Sequence, residues 1–310
     1  MTENPHVGRR TAESNVPFTR VLAPTYPRRR YHRRKGTLKT AVHWGQRKLL
    51  MTEIEFLLLA NQPHAVVVYA GAAPGTHILI LSQMFPEQRF VLVDPCEFSI
   101  GSSDRIEIVR EKFSDHLALR IKQRHAATLF ISDIRTCDWA LDDEALMQHY
   151  IQQDMAAQAR WHWILRPVKS LLKFRLPYAA GATEYLNGEL LLPVWGPVTT
   201  TECRLIVDRD AGTRTYDHTE HEEQMFFFNT AARASIYHHH SVTGVPGLDH
   251  CYDCTAEVRI LGQYIEQQQG AAPSDRAIAN LSIQITRALS SRRDLTTPNR
   301  IQTAGRRIAD

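Results

Sequence analysis

The stretch that decides the fold is residues 66–77, VVVYAGAAPGTH, followed about one helix later by residues 90–94, FVLVD. An apolar β-branched run that breaks at Gly71 and Gly75 and continues into an apolar segment predicts a buried strand, a tight turn and a helix. Glycines at such a turn let the backbone approach a ligand, and an acid ending the next strand can accept hydrogen bonds from a ribose. The pattern therefore predicts a nucleotide-cofactor turn, with Asp94 as the acid.

The spacing of this turn distinguishes between cofactors. Gly71 to Gly75 reads GAAPG, which is not the G-x-G-x-x-G of dinucleotide-binding proteins. Pro74 has no backbone N–H to donate to a phosphate. S-adenosylmethionine therefore fits this turn better than a cofactor that contains a pyrophosphate. The alternative is an ordinary connection between a strand and a helix that binds nothing, because a lone glycine turn is a weak signal.

The composition is that of a globular chain of enzyme size. It has 310 residues, of which 43% are hydrophobic, enough to bury the core of one large or two small domains. No run approaches the roughly 18 apolar residues of a membrane span, and polar residues follow Met1 instead of a signal-peptide core. The five cysteines form no framework pattern, which fits a reducing compartment. We therefore expect a cytoplasmic protein with no membrane partner.

Basic charge is concentrated near the N-terminus. Residues 1–50 hold twelve Lys and Arg but only two acidic residues, whereas the whole chain has a net charge of +4. Residues 28–35, RRRYHRRK, place an aromatic ring among basic side chains, which favours contact with RNA phosphates and a stacked base. We predict that Arg28, Arg33 and Arg34 contact RNA. A solvated tail or a localisation signal is the alternative, since its composition would be the same.

The order of elements predicts an α/β fold. Strands and helices alternate in the first half, which implies a doubly wound, mainly parallel sheet, and later extended segments without long helices between them suggest an antiparallel edge. This is a Rossmann-like arrangement typical of S-adenosylmethionine-dependent methyltransferases. We predict a basic flexible arm over 1–42, a single methyltransferase domain over 43–293 and a polar basic tail over 294–310. The predicted helices cover 46–60, 76–84, 141–165, 221–233 and part of 273–293, and the predicted strands cover 65–70, 89–94, 105–110, 127–133, 169–177, 189–195 and 200–207.

Charged residues stand at or inside several predicted strands. The strand at 127–133 ends in Asp133 and is followed by Arg135, at the sheet edge where open α/β sheets bind their ligands. Lys173 and Glu202 each interrupt an apolar strand pattern. Taken singly, each of these two is more simply an outward-facing strand residue, because alternation turns half of a strand outward. Together the four charges indicate a candidate site.

Five sequence blocks carry a family resemblance. They are GQRKLL at 45–50, YAGAAPGTH at 69–77, ISDIR at 131–135, SLLKFRLPY at 170–178 and ECRL at 202–205. In order and spacing these blocks resemble the motifs of the poxvirus cap-specific mRNA 2′-O-methyltransferases. In poxviruses the same protein serves as the processivity subunit of the viral poly(A) polymerase. The match runs from about Gly45 to about Asn229, and ordered blocks are far more specific than any one of them.

The resemblance implies a catalytic tetrad. The family's Lys-Asp-Lys-Glu set falls on Lys48, Asp133, Lys173 and Glu202. A ribose hydroxyl is a poor nucleophile until its proton is removed, and a lysine accepts a proton only when neutral. An ordinary lysine pKa of about 10.4 leaves little free amine at neutral pH, although a second lysine and burial lower it. The resemblance makes Lys173 the base and Lys48 the neighbouring cation, with the two acids orienting the amines.

The resemblance also implies a set of cofactor contacts. One departure from the family pattern is Cys96, which stands where the family has an arginine two residues after the ribose-binding acid. The adenosine end of the cofactor is therefore expected to be held differently. The implied contacts are Gln46, Tyr69, Gly71, Pro74, Gly75, Asp94, Asp133 and Arg135.

Cap recognition is implied less completely. The family places the 7-methylguanine ring between two aromatic side chains and contacts its edge with two acids. Tyr178 takes one aromatic position and Glu222 one acidic position, whereas Ala180 stands where the other acid would be. The second aromatic is Tyr26 or Tyr31. Without the resemblance, Tyr178 is equally well explained as a packing residue at a strand end.

A histidine and cysteine cluster presents a competing interpretation. Residues 238–240 are three histidines, and His250, Cys251 and Cys254 have the spacing of half a zinc site. No second cysteine pair follows. We therefore favour buried thiols and a surface histidine cluster, and we predict no metal.

The sequence thus predicts an S-adenosylmethionine-dependent enzyme that methylates the ribose 2′-OH of the first transcribed nucleotide of capped mRNA. One alternative is 2′-O-methylation at internal RNA positions. Another is a catalytically idle methyltransferase fold that serves as an RNA-binding subunit of a polymerase. The expected partners are capped mRNA and a polymerase or capping-enzyme subunit, and the expected viral setting is the virion or the replication site.

Overall fold

A computed structural model describes residues 16–32, 45–136, 144–197, 200–237 and 250–289. The helices are α1 (Gly45–Ala60), α2 (Thr76–Met84), α3 (Asp115–Arg124), α4 (Glu144–Leu165), α5 (His218–Thr230), α6 (Tyr252–Gln269) and α7 (Asp275–Leu289). The strands are β1 (Val66–Ala70), β2 (Arg89–Val93), β3 (Ile106–Val109), β4 (Thr128–Ser132), β5 (Lys169–Phe174), β6 (Ala182–Leu186), β7 (Glu189–Leu191), β8 (Cys203–Asp208) and β9 (Thr213–Asp217).

One large sheet organises the fold. Its strand order is β3-β2-β1-β4-β5-β8-β7, and β6 pairs with β9 in a separate two-stranded sheet. The first five strands of the large sheet are parallel, and β8 and β7 run antiparallel. The predicted class, a doubly wound, mainly parallel α/β sheet with an antiparallel edge, is confirmed.

The direction of winding reverses at β1. From β1 the chain moves to β2 and β3 on one side, and it returns to β4 on the other side. All five residues of β1 and of β4 are buried, as expected for central strands covered by helices on both faces. In open α/β sheets, ligands bind at the carboxyl ends of the strands beside such a reversal. The residues that follow Ala70 and Ser132 are therefore the first place to look for a site.

Several elements differ from the sequence prediction. The pattern at 115–124 predicts no helix, yet α3 forms there because the Ser114 hydroxyl accepts from Leu117 N–H and caps it. The helix predicted at 221–233 begins at His218, where the Asp217 side chain caps it by accepting from Glu220 N–H. The sequence analysis also assigns no element to β6, β9 or α6; β6 and β9 have only five residues each.

Residues 16–32, which we call the N-terminal strap, pack on the body. Leu22 N–H donates to Leu190 O at 2.8 Å, and Leu192 N–H donates to Arg20 O at 2.8 Å, so the strap extends the β7 edge of the sheet. The Arg20 guanidinium contacts both carboxylate oxygens of Glu55 on α1, at 3.0 and 2.7 Å. It also donates to the Tyr252 hydroxyl on α6 at 2.6 Å. The strap therefore joins the sheet edge to two helices.

The second half of the strap lies along α5. Arg29 N–H donates to Glu223 O at 3.1 Å, and the Tyr26 ring packs edge-on against Phe227 with 5.8 Å between centroids. The expectation of a flexible arm is therefore wrong for the described part of 1–42, because backbone pairing and apolar burial hold it. Residues 1–15 and 33–42 and the predicted tail at 294–310 lie outside the described residues.

Among the described helices, none is long and apolar enough to cross a membrane.

We expect the strap to contribute to the stability of the fold through Leu22, whose side chain is only 3% exposed. Leu22→Ala should lower the free energy of unfolding by about 2–5 kcal/mol, because it removes buried methyl groups and leaves a cavity. Thr25→Ala, at an exposed strap position, is the matched control and should change it by less than about 0.5 kcal/mol. Urea unfolding measures both. Equal stability of Leu22→Ala and the unmodified protein would show that the strap does not contribute.

Candidate active site

The four charged residues predicted as a tetrad come together in two ion pairs. Lys48 lies in the first turn of α1, and its Nζ is 2.9 Å from Oε1 of Glu202, which immediately precedes β8. Lys173 lies on β5, and its Nζ is 2.8 Å from Oδ1 of Asp133, which immediately follows β4. Residues separated by up to 154 positions thus meet at the carboxyl edge of the sheet.

A buried arginine joins the two ion pairs. Arg204 donates to Asp133 Oδ1 at 2.6 Å and to Glu202 Oε1 at 2.9 Å, and its side chain is only 8% exposed. The antiparallel register of β5 and β8 places it directly beside Lys173. The sequence prediction gave Arg204 no role. The signal was its position two residues after Glu202, because alternation in a strand sends both side chains to one face.

The electrostatics of the cluster follow from burial and from its arginine. Burial lowers the pKa of Lys173. The charges of Asp133 and Glu202 raise it and the charge of Arg204 lowers it, and the net result is a pKa below the ordinary value. Burial raises the pKa of Asp133 and of Glu202. The neighbouring lysines and Arg204 outweigh burial and hold both below their ordinary values. The site therefore contains two carboxylates and a lysine whose proton is easier to remove than usual.

Hydrogen bonds fix the direction of the Lys173 side chain. Besides Asp133 Oδ1, its Nζ contacts Asp133 O at 2.9 Å and Ile134 O at 3.1 Å. Three acceptors match the three donors of an ammonium group. These contacts fix the position of the amine, in surroundings that lower its pKa. This arrangement can steer a hydroxyl and can also exchange a proton with it.

The predicted cofactor turn packs against the loop that carries Asp133. Gly71 has a φ of +79°, and a Cβ atom there would lie 2.8 Å from Ile134 N. Gly75 has a φ of +78°, and its Cβ would lie 3.1 Å from Ile100 Cδ1. Gly71 is therefore required by the close approach of two backbone segments. This contact, rather than a ligand, explains its conformation.

Asp94 connects the turn to the end of β2. Its Oδ2 accepts from Ala73 N–H at 3.1 Å and its Oδ1 accepts from Cys96 N–H at 2.8 Å. The Cys96 thiol is exposed, and its hydrogen bond to Asp94 raises its pKa. Pro74, also exposed, accepts from Ser99 N–H at 2.9 Å. Each Asp94 oxygen keeps a further lone pair for a ligand.

A buried polar network lies beneath the turn. His77 contacts Gln46 Oε1 through Nδ1 at 2.8 Å and Glu53 Oε1 through Nε2 at 3.0 Å. The Tyr69 hydroxyl donates to the same Glu53 oxygen at 2.8 Å, and its side chain is 1% exposed. The Tyr69 ring therefore supports the turn from inside, and the predicted cofactor contact of Tyr69 stays a prediction. Arg135 is exposed and lies 3.4 Å from Glu202 Oε2, so it borders the tetrad.

The predicted cap aromatics have different environments. Tyr178 is exposed, and the Arg175 guanidinium lies 5.0 Å from its ring centroid. Tyr26 is 8% exposed, so a stacking role for Tyr26 does not fit. Tyr31 packs edge-on against Phe226 with 5.4 Å between centroids and is half-buried. It is therefore the remaining candidate for the second aromatic that stacks on the cap.

Two of the charged residues predicted to contact the cap or RNA, Glu222 and Arg28, lie in the described part of the chain. Glu222 on α5 is half-buried, and burial followed by the charge of Glu223 raises its pKa. Arg28 contacts Glu223 Oε2 at 2.9 Å, so an RNA phosphate would compete with an existing partner. Arg33 and Arg34 lie outside the described residues.

Two of the candidate zinc residues have a structural role at the start of a helix. Cys251 and Cys254 are buried at the start of α6, where the Cys251 sulfur accepts from Cys254 N–H at 3.4 Å. Residues 238–240 lie outside the described part of the chain. Within the described ranges, no group of three or more His, Cys, Asp or Glu side chains could hold a metal ion.

A doubly wound sheet with a glycine turn and a Lys-Asp-Lys-Glu cluster at its switch point defines a protein of the methyltransferase class. The profile of the family described as "Poly A polymerase regulatory subunit" matches residues 26–266, and the chain belongs to this family.

Curated relatives agree with this assignment. The fowlpox virus cap-specific mRNA (nucleoside-2′-O-)-methyltransferase is 29% identical over 222 residues, which is 62% of this chain and 68% of that protein. Its counterpart from myxoma virus (strain Lausanne) is 28% identical over 225 residues, 64% of each chain. About a third of each relative therefore lies outside the match. These relatives confirm the predicted family and the methyltransferase class.

A solved structure was also found to be similar. It is bluetongue virus VP4, described as a multifunctional RNA-capping production line. It has a TM-score of 0.47 and 14% identity, and the match covers 74% of this chain and 38% of that one.

We expect Arg204→Met to be strongly destabilising, because two buried carboxylates lose their shared cation. The free energy of unfolding at pH 7 should fall by roughly 3–5 kcal/mol. Arg110→Met, at an exposed arginine after β3, is the matched control.

The same variant should change how stability depends on pH. In the unmodified protein the folded pKa values of Asp133 and Glu202 are lowered, so their contribution is present above the unfolded pKa of about 4. It is lost as the pH falls through the lower folded values. In Arg204→Met those values rise, so the loss below about pH 4 should be smaller. Urea unfolding from pH 7 to pH 2 measures this, and parallel curves for both proteins would contradict it.

Proposed function

We propose that this chain is an S-adenosylmethionine-dependent methyltransferase acting on the ribose 2′-OH of the first transcribed nucleotide of capped mRNA. The observation that carries the proposal is the cluster of Lys173, Asp133, Lys48 and Glu202 beside the Gly71 turn. The fowlpox and myxoma relatives are named for this activity, which is the one predicted from the sequence.

The residues at the switch point fit S-adenosylmethionine. The turn after β1 has Pro74 rather than a row of backbone donors, which suits a cofactor without a pyrophosphate. Asp94, just after β2, can accept hydrogen bonds from a ribose diol. Gln46 lies beside the turn because its side chain forms a hydrogen bond with His77. When bound, the cofactor supplies an electrophilic methyl group on a sulfonium. The exposed Cys96, in place of an arginine, leaves the adenosine end less strongly held.

The chain's own residues act on the attacking hydroxyl. Methyl transfer to the hydroxyl oxygen would release the hydroxyl proton, so the chain must provide a group that receives it. Lys173 Nζ holds the hydroxyl in line and receives this proton when the amine is neutral, a state that its lowered pKa makes more accessible. Asp133 and Glu202 fix the two amines. Burial is the main cause of the lowered pKa of Lys173, and Arg204 adds to it against the opposing effect of the two acids.

The RNA is placed by residues on the same edge. Tyr178 offers an exposed ring face to the cationic 7-methylguanine, and Arg175 lies over its ring. Tyr31 on the strap is the candidate for the second aromatic. The family description supports a polymerase subunit as protein partner. The viral relatives support a cytoplasmic viral setting.

The deciding experiment is methyl transfer from labelled S-adenosylmethionine to short RNAs that carry a 7-methylguanosine cap, an unmethylated cap or no cap. Mapping of the labelled position should find the 2′-O of the first transcribed nucleotide in capped RNA alone. Transfer to internal riboses of all three RNAs would support an internal 2′-O-methyltransferase. RNA binding without transfer would support an idle RNA-binding subunit.

Lys173→Met should abolish most activity because it removes the amine that faces the hydroxyl. We expect kcat to fall by about 10²–10⁴-fold. The Kd for S-adenosylmethionine, measured by calorimetry, should change by less than about 3-fold, because the amine acts on the hydroxyl. Lys169→Met, at the other end of β5, is the matched control and should keep kcat.

Lys173→Arg separates two roles of the amine. A guanidinium keeps the positive charge but cannot accept a proton at working pH. Loss of activity equal to that of Lys173→Met would support proton transfer, whereas retention of a tenth or more of kcat would assign Lys173 to steering alone.

Tyr178→Ala should selectively weaken the binding of capped RNA. Loss of one stacking ring is worth about 1–3 kcal/mol, so the Kd for capped RNA, measured by a binding titration, should rise by roughly 5–150-fold while the Kd for uncapped RNA is unchanged. Tyr178→Phe keeps the ring and should restore the binding of capped RNA. Tyr31→Ala, made separately, should show the same selectivity if Tyr31 is the second aromatic. An equal rise for capped and uncapped RNA would contradict the role of Tyr178 in cap recognition.

A further inference from the structure

Two neighbouring strands, β4 and β5, stop pairing at the tetrad, and we call the space beyond their last pair the crevice. β4 and β5 are parallel and pair from Phe130 with Ser170 to Ser132 with Leu172. One more step would pair Asp133 with Lys173. Asp133 N–H faces the other neighbour and continues the β1 ladder by donating to Ala70 O at 2.9 Å, and Asp133 O accepts from the Lys173 side chain. The backbone of Lys173 is left without a strand on that side.

A side chain of α4 takes the place of the missing strand. Gln158 Nε2 donates to Lys173 O at 3.1 Å, and Gln158 Oε1 accepts from Lys173 N–H at 3.1 Å. A primary amide offers the same donor and acceptor as a peptide group, so it satisfies both backbone groups of one residue. Gln158 is 1% exposed, and it therefore meets Lys173 away from solvent.

The same helix holds the other side of the crevice. Asp154, one turn before Gln158, accepts from Thr136 N–H at 3.0 Å and from the Thr136 hydroxyl at 2.5 Å. Residues four apart lie on one face of a helix. α4 thus holds the loop after β4 through Asp154 and the end of β5 through Gln158. Both attachments lie next to the position where the side chains of Lys173 and Asp133 meet.

We propose that Gln158 is a positioning residue for methyl transfer, which sets the place of Lys173 by clamping its backbone N–H and C=O. The inference rests on the proposed function, since it assigns Lys173 to the attacking hydroxyl. A change of about 1 Å in a catalytic group can cost about 10²-fold in rate. Gln158 therefore acts on kcat through Lys173 and contacts neither substrate.

The test compares two substitutions with one control in the full-length protein. Gln158→Met keeps the length of the side chain and removes both hydrogen bonds. Gln158→Glu restores both when its carboxyl is protonated, because a neutral acid has one donor and one acceptor. Gln152→Met, at an exposed glutamine of the same helix, is the control. Each protein is assayed with capped RNA and labelled S-adenosylmethionine, with thermal unfolding and calorimetry of cofactor binding in parallel.

We expect Gln158→Met to lower kcat by about 30–100-fold, with KM for RNA and the Kd for cofactor within about 3-fold. Gln152→Met should match the unmodified protein. The Lys173 amide should also lose its protection from hydrogen exchange in Gln158→Met, a readout that does not depend on activity.

The pH dependence of Gln158→Glu identifies the clamp even if Gln158→Met fails to fold. Burial raises the pKa of a carboxyl at position 158, and Asp154 on the same helix and Asp133 across the crevice raise it further. Lys173 on β5 and Arg204 on β8 lower it. His162, the next titratable group on that face of α4, is buried with a pKa lowered to about 4 and stays neutral. The ratio of kcat for Gln158→Glu to that of the unmodified protein should therefore fall by about 10-fold or more from pH 6 to pH 9.

The outcomes separate this inference from the proposed function. An unmodified protein that methylates no RNA overturns the proposed function. An active unmodified protein together with a Gln158→Met kcat within 3-fold, or with a Gln158→Glu ratio that does not change with pH, overturns the positioning role alone.

Discussion

The guanidinium of Arg204 lies 2.6 Å from Asp133 and 2.9 Å from Glu202, in a position almost closed to solvent. Two carboxylates at the buried edge of a sheet are unfavourable without nearby positive charge, and the lysines alone would be drawn tightly to them. By sharing its charge between both acids, Arg204 keeps them ionised and at the same time opposes the rise they cause in the pKa of Lys173. A single buried cation thus reconciles stability with a lysine of lowered pKa.

The backbone around this cluster is tied to the cofactor turn. The left-handed Gly71 lets the turn after β1 approach Asp133 and Ile134 so closely that a Cβ atom would collide with them. Because Asp133 also accepts from Lys173, the position of the turn and the position of the catalytic amine share one contact. This explains how a sheet edge common to many α/β proteins places a cofactor beside a nucleophile. The geometry depends on a small number of close backbone approaches rather than on loops of special shape.

The RNA-facing side is assembled from parts far apart in the chain. The N-terminal strap reaches α5 through Arg29 and Glu223, which are nearly two hundred residues apart, and it also closes the β7 edge. The helix that the strap covers carries Glu222, and the loop after β5 carries Tyr178. The described basic residues of the predicted arm, such as Arg28 and Arg29, therefore lie against α5. Their charges are partly paired with acids of the body, as Arg28 is with Glu223.

The sequence by itself determined the central sheet, the turn and the identity of the tetrad. Apolar strands such as β1 are encoded by local runs, and the glycines after β1 and the acids after β2 and β4 stand at fixed offsets from those runs. The family resemblance then added Lys48, which no local pattern marks. Only the tertiary structure decided the role of Arg204, the clamp of Gln158 on Lys173, the burial of Tyr26 and Tyr69, and the packing of the strap. Each of these depends on contacts between distant segments, where burial and hydrogen bonding are set by the partner and not by the residues nearby in sequence.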